Sequence, residues 1–188
     1  MKTLNIKDTQ RKLKNKLCKE LKGKVFHVTS KIGYDGILND KAIYPSNHKN
    51  IKNHVWSCSK YFTNCNCISL VDLYNNTNTR LLLNAINTKY RFYDIHTMAS
   101  SNIGYIFVLK TDIYQELITW KDVKDDWLKN CNQNIVPHLE SGIKNKILLS
   151  DIEYIIKVET IEKYVDYSKL YTDILSRIRT PSHDDILS

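Results

Sequence analysis

Three leucines, Leu13, Leu17 and Leu21, recur every four residues in a segment that is otherwise mostly lysine. Side chains four apart stack on one face of an α-helix, so this stretch is expected to be a helix with one apolar stripe and a basic back. Ile6 and Gln10 stand in the same register, and Gly23 can end the helix. Residues 1–24 hold nine Lys or Arg against Asp8 and Glu20, a net of +7. The whole chain of 188 residues carries +8, so the rest is close to neutral. The expected organisation is a basic N-terminal helix or arm over 1–23, a single domain over 24–180 and a loose tail over 181–188.

Two uses for the basic face stand side by side. Arg11, Lys12, Lys14, Lys16 and Lys19 could neutralise the phosphates of a nucleic acid or meet another acidic surface. Alternatively, the helix docks on its own domain and leaves a solvated basic back. A membrane-surface helix fits less well, because the apolar stripe has no aromatic residue. Elsewhere no apolar run approaches the ~20 residues that cross a bilayer, and the N-terminus lacks the apolar core of a signal peptide. With an odd count of five cysteines, a reduced, cytoplasmic protein without a membrane partner is expected. Hydrophobic residues at 42%, with twelve Tyr, exclude a mainly disordered chain.

Period-2 and β-branched runs predict strands at 24–29, 55–59, 103–110, 135–140, 147–149 and 154–158. Helices are predicted at 31–39, 66–74, 78–88, 112–120 and 160–179, the first capped by Ser30 with Ile32, Ile37 and Leu38 as its apolar positions. Residues 121–134 are polar and read as loop with some helix. Strands interleaved with helices of unequal length predict an α+β fold rather than regular βαβ winding. No glycine-rich loop follows a strand, so a Rossmann or P-loop nucleotide site is not expected.

Three segments carry candidate chemistry. In Val-Phe-His-Val-Thr-Ser, His27 and Thr29 share a strand face opposite Phe26 and Val28, an arrangement that can hold a ribose diol or a carboxamide; the plainer alternative is a core histidine bonded to a backbone carbonyl. In Trp-Ser-Cys-Ser-Lys-Tyr-Phe, Ser57 and Ser59 can orient a carboxylate and Tyr61 can stack on a planar ring; alternatively this is an edge strand whose aromatic touches the core. Glu140 precedes an expected turn at Ser141-Gly142 and can hold a ribose hydroxyl while stabilising positive charge at the anomeric carbon; most glutamates, however, lie on the surface. His54, Cys58, Cys65 and Cys67 match no common zinc framework, so no metal site is assigned.

In order and spacing these segments resemble the ADP-ribosyltransferase superfamily, in particular the DarT-like and related small bacterial and phage members. The resemblance rests on His27-x-Thr29-Ser30 before a helix with Gly36-Ile37-Leu38, then on Ser57-Cys58-Ser59-Lys60, then on Glu140 followed by Ile147, Leu149 and Ile152. It spans about residues 24–158. It implies an ADP-ribosyltransferase-like split β-sandwich of two small sheets flanked by helices, with NAD as co-substrate in the cleft between them. It implies Glu140 as the catalytic residue and NAD contacts from His27, Thr29, Ser30, Tyr34, Ser57, Ser59, Lys60 and Tyr61, with no metal. The activity implied is mono-ADP-ribosylation of a nucleic-acid or protein acceptor with release of nicotinamide. The setting implied is toxin, defence or phage counter-defence, with an antitoxin or immunity protein as partner. His138 stands where arginine-modifying members carry Glu or Gln, which argues against arginine as acceptor. The alternatives are an NAD glycohydrolase, an RNA 2′-phosphotransferase, and a non-enzymatic basic nucleic-acid-binding module.

Overall fold

The computed structural model describes residues 1–45, 47–48, 60–74, 101–130 and 137–162. In chain order its first elements are β1 (Lys2–Asp8), α1 (Gln10–Glu20), β2 (Val25–Ser30), α2 (Lys31–Asp40) and β3 (Ala42–Ile43). Then come α3 (Lys60–Asn64), β4 (Ile68–Asp72), β5 (Ile103–Leu109), a 3-10 turn (Thr111–Glu116) and α4 (Trp120–Asn130). β6 (Glu140–Ile143), β7 (Ile147–Leu148), a second 3-10 turn (Leu149–Asp151) and β8 (Ile152–Thr160) close the described part. The α+β expectation holds: one six-stranded sheet in the order β1-β8-β5-β2-β4-β6, a two-stranded ribbon of β3 and β7, and a few helices. β1 lies parallel to β8, and every other pairing is antiparallel.

The sheet is buried on both faces, which explains why β5 reads as an unbroken apolar run. One face packs under α1: Leu13, Leu17 and Leu21 are fully buried against Phe26, Ile106 and Ile156. The other face packs under α2 and the ribbon, through Ile37, Phe107, Ile147 and Ile155. Burying each leucine of α1 contributes about 2 kcal/mol.

The first 23 residues are therefore not an arm. β1 pairs with β8 over seven residues, from Lys2 with Tyr154 to Asp8 with Thr160, and α1 roofs the core. The alternation Leu4, Ile6 between polar neighbours is a strand signal, and both pack against the core under α1; the helical register drawn through Ile6 misassigns it. Gly23 does adopt the left-handed conformation (φ +70°), two residues beyond the helix's C-cap at Leu21.

Other expectations shift for local reasons. Within 66–74 the residues Ile68–Asp72 form strand β4, not a helix, because their apolar side chains are buried on both faces. Ser141 and Gly142 lie inside β6 rather than in a turn, and the turn falls on 137–139. Thr111–Glu116 is a 3-10 turn, while the polar stretch after it holds α4; Trp120, Val123 and Trp127, at helical spacing, are its apolar side. α2 forms as expected with Ser30 as cap, its Oγ accepting from the Gly33 N–H at 3.3 Å, yet Ile32 is 86% exposed. The strand expected at 55–59 and the helix expected at 78–88 lie outside the described residues; of the helix expected at 160–179, Thr160 instead ends β8, Ile161 and Glu162 are not helical, and the rest lies outside the described residues. No described helix is long and apolar enough to cross a membrane.

Candidate active site

The strand–helix unit that carries the first motif is rigidly built. Thr29 lies beneath α2 so closely that a Cβ on Gly33 would stand 2.0 Å from the Thr29 Oγ1. α2 can approach β2 this closely because residue 33 has no side chain. Tyr34 then reaches the sheet and stacks on Tyr105, ring centroids 3.9 Å apart. Lys31 bonds Asp35 and stands 5.7 Å from the Tyr34 ring. Burial pushes the Tyr105 hydroxyl above its ordinary range.

His27 occupies a break in the sheet. β2 and β4 pair only at Val25 with Asp72 and Phe26 with Val71. Continuing that register, Val28 would face Ser69, but the strands part first. The imidazole takes the carbonyl instead, with Nδ1 3.1 Å from the Ser69 oxygen. Since a carbonyl only accepts, Nδ1 carries the proton. His27 thus has the backbone partner of a core histidine and also sits where the sheet opens.

Glu140 is placed elsewhere. It is the first residue of β6, 1% exposed, so it is not the surface glutamate that is the ordinary use of this residue. Gly142 of β6 also forms an isolated antiparallel bridge with Ile118, with backbone bonds of 2.8 and 2.9 Å. That bridge brings the start of α4 alongside Glu140. The result is a cavity of about 40 Å³ lined by Asp72, Thr119, Trp120, Lys121, His138 and Glu140. Asp72 is also buried, and its Oδ1 accepts from the Tyr74 N–H at 2.9 Å. His138 is held at φ +65° in the turn before β6, edge-on to Trp120 at 6.1 Å. Thr119 donates both its N–H and its hydroxyl to Asp122 Oδ2, each at 2.7 Å, which fixes the first turn of α4. Those two bonds hold the Asp122 carboxyl below its usual range.

The register separates the two motifs. Phe26, Val71 and Glu140 face one another across three strands, a single row on one face of the pleated sheet. His27 is one residue along β2 and pairs with Phe107 in the row on the opposite face. The structure therefore brings His27, Thr29, Ser30 and Tyr34 together at β2 and α2, and gathers Glu140 with Asp72, Lys121 and His138 at the head of β6. It does not join the two groups in one cleft. Tyr61 belongs to a third place. It is buried edge-on to Phe62, and its hydroxyl donates to Asp126 at 2.9 Å, so its ring is not presented for stacking on a ligand. Burial first, and that hydrogen bond second, push its pKa up. Lys60 begins α3. Ser57 and Ser59 lie outside the described residues, as do His54 and Cys58.

Asp72, Lys121 and Trp120 escaped sequence reasoning. Asp72 ends a strand whose sequence pattern predicts a helix, and the helix start that carries Trp120 and Lys121 reaches Glu140 through the long-range bridge at Ile118. Among the described residues no group of three or more His, Cys, Asp or Glu side chains gathers as a metal site. No protein-family model, curated protein or solved structure matches the chain.

Proposed function

We propose that this chain is an NAD-dependent mono-ADP-ribosyltransferase whose reacting carboxylate is Glu140. The observation that carries the reading is a glutamate withdrawn from solvent that lines a cavity at the head of a strand. Burying a carboxylate is costly, and a carboxylate beside a ribose can stabilise the positive charge that develops as nicotinamide leaves. β2 and β4 belong to one six-stranded sheet, not to two small ones, but they part beyond Phe26 and Val71, which leaves an opening at His27. His27 and Glu140 stand in opposite-facing rows, so in this reading they do not grip the same ribose. Glu140 acts at the anomeric carbon, and His27 contributes to binding where the sheet opens. At about 40 Å³ the cavity is far smaller than the roughly 300–1,000 Å³ of a typical ligand pocket, so it has to widen when NAD enters.

The experiment is nicotinamide release from NAD by the purified chain, with and without DNA, RNA and cell lysate. Glu140→Gln is expected to lower kcat by about 10²–10³-fold, the usual loss of one transition-state-stabilising group, while circular dichroism shows it folded. His27→Ala is expected to raise KM more than it lowers kcat. Stimulation by one additive names the acceptor class, and steady release without any acceptor makes the chain an NAD glycohydrolase. No release from folded wild-type protein under any condition overturns the reading.

A further inference from the structure

The leucine stripe of α1 is spent on the core, and what the helix shows to solvent is a line of bases. Leu13, Leu17 and Leu21 are fully buried. On the opposite side Arg11, Lys12, Lys19 and Lys22 are exposed, with Lys16 on the flank. No acid lies on that outer face. Asp8 sits at one flank, 2.8 Å from Lys16 and 4.0 Å from Lys12. Glu20, four residues after Lys16 and on the same flank, is exposed and meets the Tyr154 hydroxyl. Lys12 keeps 70% of its side-chain exposure and Lys16 keeps 51%. Because the helix is packed onto the sheet, the backbone that carries these charges is already ordered, so binding a partner orders only their side chains.

We infer that the outer face of α1 docks the phosphate backbone of a nucleic acid. From Arg11 to Lys19 the helix advances roughly 12 Å, and Lys22 follows just past its C-cap at Leu21. Duplex DNA carries about seven phosphate charges over that length, at one per ~1.7 Å of axis. A membrane surface fits poorly: an interfacial helix inserts its apolar side, and here that side is committed to the core. The bases contact phosphates, so binding follows charge and not sequence.

The test is fluorescence anisotropy with a labelled 30-base-pair DNA duplex, and with an RNA of the same length, titrated from about 50 to 200 mM salt. No NAD is present, so this inference and the transferase reading stand or fall separately. About four phosphate contacts predict a slope of log K on log salt near −3.6 for the duplex. The combined variant Arg11→Gln, Lys12→Gln, Lys19→Gln and Lys22→Gln is expected to lose more than tenfold in affinity and most of that slope. The pair Lys12→Gln and Lys19→Gln, a lighter change to the fold, should flatten the slope by about 2, one per base removed. A control set with the same charge change, Lys41, Lys110, Lys144 and Lys146 each to Gln, should have a much smaller effect. Equal losses from both sets, a flat salt dependence, or binding to phosphatidylserine vesicles with none to nucleic acid would each overturn the inference.

Discussion

Leu17→Ala separates a docked arm from an integral roof of the core. Leu17 is fully buried, midway along α1 between Leu13 and Leu21, against a core that includes Phe26, Ile106 and Ile156. Removing three side-chain carbons from such a site forfeits their transfer free energy and leaves a cavity, because the neighbours, rigid strand residues, relax only in part. The expected cost is about 3 kcal/mol. For a chain of this size each kcal/mol moves Tm by roughly 2–4 °C, so the loss should be about 6–12 °C. Urea unfolding followed by far-ultraviolet circular dichroism reads the same quantity: the midpoint should fall with the slope m unchanged. Lys19→Ala, on the solvent side of the same helix, should stay within about 0.5 kcal/mol of wild type. If Leu17→Ala leaves the global midpoint where it was and costs only helical signal at low urea, α1 is an appendage.

Gly142→Ala is expected to destabilise by about 1–3 kcal/mol. Its Cβ would stand 2.4 Å from Phe62 Cδ1 and 3.0 Å from Cys67 Cβ, and the thermal midpoint checks it, with Phe62→Leu in the same chain expected to recover part of the loss. Asp122→Asn should cost on the order of 1 kcal/mol, as loss of a helix cap does. Because the folded carboxyl of Asp122 lies below its ordinary value of 3.8, the stability it supplies is complete above that value and is lost as pH falls through the folded pKa. Stability measured from pH 6 down to pH 2 should therefore fall less steeply in Asp122→Asn than in wild type, and parallel curves would refute the cap.

Local chemistry was legible wherever the signal is local. The four-residue leucine spacing places α1, the cap at Ser30 starts α2, and the run at Ile103–Leu109 is a strand, because each pattern is set by backbone geometry within a few residues. Even the misread segments held a local signal: Leu4 and Ile6 alternate as a strand does, and Trp120, Val123 and Trp127 repeat as a helix does. Polar neighbours and a competing register hid them. The four-residue leucine stripe, together with the charge imbalance of the first 24 residues, also determined that α1 would be apolar on one side and basic on the other.

Tertiary structure alone decided what those faces meet. Nothing in residues 1–23 states that β1 will pair with β8, some 150 residues away, because the ladder is made of backbone groups that every residue carries. Whether His27 and Glu140 share a site depends on strand register. A shift of one residue would move Glu140 to the other face, since side chains alternate with period two. That register is set by how Val25, Phe26, Val71 and their neighbours pack between two layers of helix, a global choice that no motif encodes. The company Glu140 keeps has the same origin: Asp72 reaches it through the pairing of β4 with β6, Trp120 and Lys121 through the bridge between Ile118 and Gly142, and only the folded chain brings them together.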